Sequence, residues 1–140
     1  MQTASDIMAT TILTCTDQET LLDGHNLMQE NNIRHVPVIC ADDGHYMGML
    51  THKEVLKQVI KIADVHGTNQ LNRYEARIKI KDIMCDDVNS IAPDMPIDKA
   101  GEYFLGEKQG CLPVCEDDKV IGIITSVDFV KLSLQLLNEI

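Results

Sequence analysis

Tryptophan is absent from this 140-residue sequence, and three Tyr and two Phe are its only other large aromatics. A core must therefore be built from Ile, Leu, Val, Met and Ala, which pack without needing buried polar partners. Basic residues are few as well, 12 Lys and Arg against 22 Asp and Glu, for a formal charge of −10. That average field repels phosphate and argues against nonspecific binding to nucleic acid or an anionic membrane. No apolar run approaches the roughly 20 residues needed to cross a bilayer, and no cationic start precedes an apolar stretch. The expectation is a soluble cytoplasmic protein. Five cysteines (Cys15, Cys40, Cys85, Cys111, Cys115) are an odd number without CxxC spacing, which suits reduced thiols better than a disulfide framework. Cys111 and Cys115 flank Pro113 in an apolar run and read as packing residues, so no metal is expected.

What is present is enough apolar material, 44% of residues, for one ordinary domain or for two half-sized units. The charge is uneven. Seven of the twelve basic residues lie between Lys53 and Lys81 with only three acids, so that segment is +4 and the remainder −14.

The sequence also repeats itself. Ser5-Asp6-Ile7-Met8 is echoed 76 positions later by Lys81-Asp82-Ile83-Met84, and Val36-Pro37-Val38 by Leu112-Pro113-Val114. After turns that differ by two residues, Gly48-Met49-Leu50-Thr51 returns as Gly122-Ile123-Ile124-Thr125. Each copy reads as strand, helix, strand, strand, helix. In the first, 12–15 is a short apolar strand, and Leu21, Leu22, Leu27 and Met28 recur at helical spacing. Next come β-rich runs over 35–39 and 46–51, parted by Asp42-Asp43-Gly44. A closing helix has Val55, Leu56, Val59, Ile60 and Ala63 on its apolar face, with Lys53, Lys57 and Lys61 opposite. Its counterpart carries Phe129, Val130, Leu134 and Leu137. Between the copies, 67–70 reads as a loop and 77–81 as a half-exposed strand.

Asp-Ile-Met, an apolar-Pro-Val strand, then Gly, two apolar residues, Thr, two more residues and an acid together resemble the CBS repeat, and two such repeats cover nearly the whole chain, as in a Bateman module. The resemblance implies an α/β (α+β) fold of tandem repeats, 1–66 and 80–140, joined by a connector at 67–79 and packed about a pseudo-twofold axis. It also implies a homodimer, an effector protein as partner, and an adenosine-containing ligand in the clefts between repeats.

The most informative segment is Gly122 to Asp128. A strand that ends in Thr125 and turns into a helix presents free backbone amides to an anion. Asp128, in the first helical turn, can accept hydrogen bonds from two ribose hydroxyls. By resemblance to nucleotide-binding CBS repeats, Thr125 faces phosphate and Asp128 ribose; equally, the two form an N-cap and its capping-box partner, and the roles are compatible. In the first copy Thr51 and Glu54 take these places, the acid one methylene longer, with His52 and Lys53 as candidate phosphate partners. The resemblance puts the adenine slot between Thr14 and Val36 in the first copy, and between Ser90 and Leu112 in the second. Arg34 and His35 form a cationic pair, available only to the first site.

Nothing in the sequence matches GxSxG, HExxH, GxxxxGK[ST] or a paired Cys/His set, and no nucleophile stands beside a base, so no catalytic residues are assigned. The expected function is a non-catalytic regulatory module needing no cofactor and binding an AMP-like ligand, with ADP, ATP, NAD or S-adenosylmethionine as alternatives. The competing reading is a ligand-free dimerisation or interaction scaffold.

Overall fold

Threonines mark points where extended backbone turns into helix. Thr20, Thr51 and Thr125 all hold β-region dihedrals and are followed by helices. At Thr20 and Thr51 the hydroxyl accepts the backbone N–H three residues on, at 3.3 and 3.2 Å, satisfying a donor that the first helical turn leaves open. The computed structural model describes residues 2–106 and 109–139. Its order is α1 (Ala4–Ile7), β1 (Cys15–Thr16), α2 (Leu21–Asn31), β2 (His35–Ile39), β3 (Tyr46–Thr51) and α3 (His52–His66). After these come α4 (Leu71–Glu75), a 3-10 turn (Ile80–Asp82), α5 (Ile97–Gly106), β4 (Cys111–Glu116), β5 (Lys119–Thr125) and α6 (Ser126–Asn138).

The chain divides into two compact units, one of residues 13–87 and one of residues 1–12 with 88–140. In the 13–87 unit β1 pairs parallel to β2, and β2 antiparallel to β3 with Val36 opposite Leu50 and His35 opposite Thr51. The core packs Leu21, Met28, Val36, Val38, Leu50, Val55 and Ile80, built of aliphatic residues and Met as the composition requires. Buried Glu75 is paired with His25 Nδ1 at 2.6 Å, tying α4 to α2. In the other unit β4 and β5 pair antiparallel, Leu112 opposite Ile124, and Ile91 adds a single parallel bridge to Val114. Ala4, Ile91, Ala100, Leu112, Val114 and Ile124 form that core. Both hairpins shift register at equivalent places, Val38/Ile39 and Val114/Cys115. Pro37 and Pro113 are tolerated inside these sheets because the parallel partner of each strand is only one or two residues long, leaving no ladder bond for the missing N–H.

The segment that opens each sequence copy packs on the hairpin of the other copy. Ala9 exchanges backbone hydrogen bonds with Ile123 at 2.9 and 3.0 Å, and Cys85 does so with Met49 at 2.8 Å both ways. These approaches explain two repeated glycines. A Cβ at Gly48 would stand 2.6 Å from the Cys85 carbonyl oxygen, and one at Gly122 would stand 2.3 Å from Met8 Sδ.

Three sequence expectations change. The first strand is Cys15–Thr16 rather than 12–15, because only those residues reach β2. Residues 77–81 form no strand. They keep the expected alternation, Ile78 and Ile80 turned in and Lys79 and Lys81 out, but pair only through the bridge of Lys79 to Thr20, since Thr20 immediately starts α2 and ends the ladder. In α3 the buried positions are Val55 and Ile62, whereas Leu56 and Ile60 are exposed. Among the described residues no helix is long and apolar enough to cross a membrane.

Candidate functional site

The register of β2 against β3 decides what gathers at the start of α3. Because His35 stands opposite Thr51 and the His52 N–H donates to the Arg34 carbonyl at 2.8 Å, the residues before Pro37 lie beside the helix N-terminus. A cavity of about 610 Å³ opens there, lined by Arg34, His35, Thr51, His52 and Lys53. Leu56, Lys57, Ile60 and Lys61 complete it from the next two turns of α3. All four candidate phosphate partners of the first copy therefore share one cavity with Thr51. By sequence pattern these α3 residues belong to two faces, apolar and solvated. The signal that places them together is the run 53, 56, 57, 60, 61, a helical stripe of mixed chemistry.

The electrostatics correct one detail. Burial, reinforced by the Arg34 guanidinium, lowers the His35 pKa below the ordinary imidazole value, so this ring is neutral at neutral pH. Arg34 and His35 thus offer a phosphate one cation and one neutral N–H donor rather than two charges. The amides at the N-terminus of α3 add a favourable dipole for an anion.

Thr14, Val36 and Glu54 lie outside that lining. Val36 is buried in β2, Thr14 is half-buried just before β1, and Glu54 accepts a hydrogen bond from Gln58 Nε2 at 2.9 Å. The reciprocal capping box expected of Thr51 and Glu54 is therefore only half made: the hydroxyl accepts the Glu54 N–H, but the carboxylate turns along the helix to Gln58. At the second copy the carboxylate does reach back, the Thr125 N–H donating to Asp128 Oδ2 at 2.8 Å.

Asp128 also faces the start of β4. Burial pushes the Cys111 thiol up to about 12, and the Asp128 charge adds to the shift. Leu112, the next residue, is buried opposite Ile124, whereas Ser90 is exposed. The Ser90 hydroxyl bonds the Cys115 thiol, partly offsetting a rise in its pKa caused chiefly by burial. A cavity of about 480 Å³ in this unit is lined by Asn89, Met95, Lys99, Glu102, Tyr103 and Gly106, and takes in none of the second copy's expected site residues.

The family model described as CBS domain matches residues 4–61 and 80–135. A homoserine O-acetyltransferase of Methanohalobium evestigatum is 29% identical over 129 residues, 91% of this chain but 23% of the enzyme. The chain spans 23% or less of the length of the first curated relatives it matches, so the match does not place their chemistry in the residues present here. Among solved structures, a provisionally assigned acetoin utilization protein (AcuB) of Vibrio cholerae superposes with TM-score 0.80 at 29% identity, covering 99% of this chain and 94% of that one. CBSX2 in complex with AMP gives 0.77 at 22% identity, covering 97% and 98%. The CBS domain pair of protein MJ0100, in complex with 5-methylthioadenosine and S-adenosyl-L-methionine, gives 0.75 at 22%, covering 94% and 95%.

Proposed function

The chain belongs to the CBS domain family, and from that premise we propose that it is a non-catalytic regulatory module that binds an adenosine-containing ligand, AMP foremost, and signals to an effector protein. The observation that carries this reading is the cavity at the start of α3. In a chain of net charge −10, Arg34, Lys53, Lys57 and Lys61 line one concave surface together with Thr51, His35 and His52. Such a surface suits phosphate, while Leu56 and Ile60 supply apolar wall.

In this reading Thr51 holds the phosphate and Glu54 turns from Gln58 to the ribose, with the base between Thr14 and Val36. In the second copy Thr125 and Asp128 do the same, with Ser90 and Leu112 flanking the base. ADP, ATP, NAD and S-adenosylmethionine present the same ribose and are the alternatives to AMP. The complexes of CBSX2 with AMP and of the MJ0100 pair with S-adenosylmethionine support an adenosine ligand in general. A bound ligand changes the packing of the module only through its differential affinity for two arrangements. The module acts as a homodimer, a reading supported by the exposed stripe of Val127, Val130, Leu134 and Leu137 along α6.

Calorimetric titration with AMP, ADP, ATP, NAD and S-adenosylmethionine, repeated on Arg34→Ala and Lys53→Ala, tests the site. Each substitution is expected to weaken the phosphate-bearing ligands by roughly tenfold, the worth of one charge-assisted hydrogen bond, and to leave S-adenosylmethionine unchanged. Silence across the panel would favour the ligand-free interaction scaffold, a reading that the engagement of Glu54 with Gln58 also fits.

A further inference from the structure

A thiol, a carboxylate and an imidazole converge in the turn between β2 and β3, away from the cavity at the other end of that hairpin. The Cys40 N–H donates to the His45 carbonyl at 2.9 Å and the Gly44 N–H to the Cys40 carbonyl at 2.9 Å, which sets residues 40 and 45 across from each other. Gly44 takes a φ of +78°, a conformation that costs glycine little, and so lets the chain turn this tightly. Asp43 Oδ1 accepts the His45 N–H at 3.0 Å and lies 2.5 Å from His45 Nδ1. The outer side of the turn is fastened by Asp17, whose Oδ1 accepts the Ala41 N–H at 2.9 Å. Cys40 Sγ, the Asp43 carboxylate and the His45 ring nitrogen all lie within 4.8 Å of one another.

We propose that Cys40, Asp43 and His45 form a binding site for a thiophilic divalent metal ion, zinc being the type case. Bond lengths of about 2.0–2.3 Å at tetrahedral angles put neighbouring donor atoms roughly 3.3–3.6 Å apart. The cluster therefore needs side-chain adjustments of about an ångström, chiefly the opening of the Asp43–His45 contact, while the backbone bonds across the turn can stay made. The donor set selects the metal. One thiolate, one imidazole and one carboxylate suit zinc, whereas magnesium and calcium seek six or more oxygens. Three protein donors leave a fourth position to water or to a ligand atom from outside. Occupancy would clamp the β2–β3 hairpin and stabilise the 13–87 unit by mass action. The equivalent turn of the second copy, Glu116-Asp117-Asp118-Lys119, has no imidazole, so the chain binds one metal rather than two.

The full chain, stripped with chelator, is titrated with Co²⁺ as the spectroscopic probe and then with Zn²⁺ as competitor. The expected result is one equivalent of Co²⁺ with a thiolate-to-cobalt charge-transfer band, displaced by Zn²⁺ and indifferent to Mg²⁺. Cys40→Ser abolishes the band, and His45→Asn weakens binding on the order of tenfold or more, since loss of a direct ligand costs at least as much as loss of its supporting shell. Cys85→Ser, which removes an exposed thiol lying 2.6 Å from Asp87, leaves the titration unchanged. Circular dichroism of each variant checks the fold; should Cys40→Ser fail that check, His45→Asn decides alone. Absence of the band at stoichiometric Co²⁺, its survival in Cys40→Ser, or undiminished affinity in His45→Asn would overturn the proposal.

Discussion

At the scale of single residues, burial sorts the cysteines. Cys15 and Cys111 are almost wholly enclosed, and desolvation pushes both thiols up to about 12, so neither forms thiolate at ordinary pH. Native protein treated with a maleimide at pH 8 should be modified at Cys85 and spared at Cys15 and Cys111, which react only after denaturation. Peptide mapping checks this, and rapid native labelling of Cys111 would show that β4 opens readily. The pair of His25 and Glu75 makes a second prediction. His25→Ala leaves a buried carboxylate without its partner and should cost about 1–3 kcal/mol in urea unfolding, whereas Glu75→Gln, which keeps a hydrogen-bonding side chain in place, should cost less. Residue identity alone carried much of the candidate site. Arg34, His35, His52 and Lys53 stand out by their positions around Pro37 and Thr51, and the structure brings them to one cavity. The neutrality of His35 was not legible, because it depends on burial by distant parts of the chain. Nor was the bond of Glu54 to Gln58, where two local partners compete for one carboxylate.

At the scale of elements, the repeated glycines are where one segment presses on another. Gly48 and Gly122 occupy equivalent positions, yet their alanine variants should differ. The nearest obstacle at Gly48 is the fixed carbonyl of Cys85, and at Gly122 it is the flexible side chain of Met8. Gly48→Ala should therefore destabilise by about 1–3 kcal/mol, in the range of overpacked sites, and Gly122→Ala by less. Thermal unfolding of the two variants checks the order, and a reversed order would mean that the Cys85 segment yields more easily than its paired hydrogen bonds suggest. The hairpins, α2, α3 and α6 could be read from periodicity because their patterns are local. The 77–81 segment could not. Its alternation is genuine, but a strand also needs a partner that stays extended, and Thr20 withdraws that partner into α2. In α3 two adjacent stripes, 55/59/62 and 56/60, are both apolar, and periodicity does not say which one a core will choose.

At the scale of the whole molecule, what the sequence hid is the exchange of segments. The Asp-Ile-Met stretches open each copy in the sequence, yet they pack with residues of the other, a long-range choice that no local propensity encodes. The exposed stripe on α6 makes a prediction at this scale. Leu134→Glu combined with Val130→Glu should convert a sedimenting dimer into monomers without changing the circular dichroism, because both side chains are more than half exposed in the single chain. A wild-type protein that sediments as monomer at working concentration would remove the dimer. The central claim is that this chain is a nucleotide-binding regulatory module, and the most direct measurement is calorimetric titration of AMP into wild type and Asp128→Ala. Saturable binding is expected, with a component that Asp128→Ala removes, while loss of the capping bond lowers stability by only about 0.5–2 kcal/mol and leaves the fold intact. Heat-silent titration of wild type would contradict the claim, and equal binding by the folded variant would remove the second-copy site.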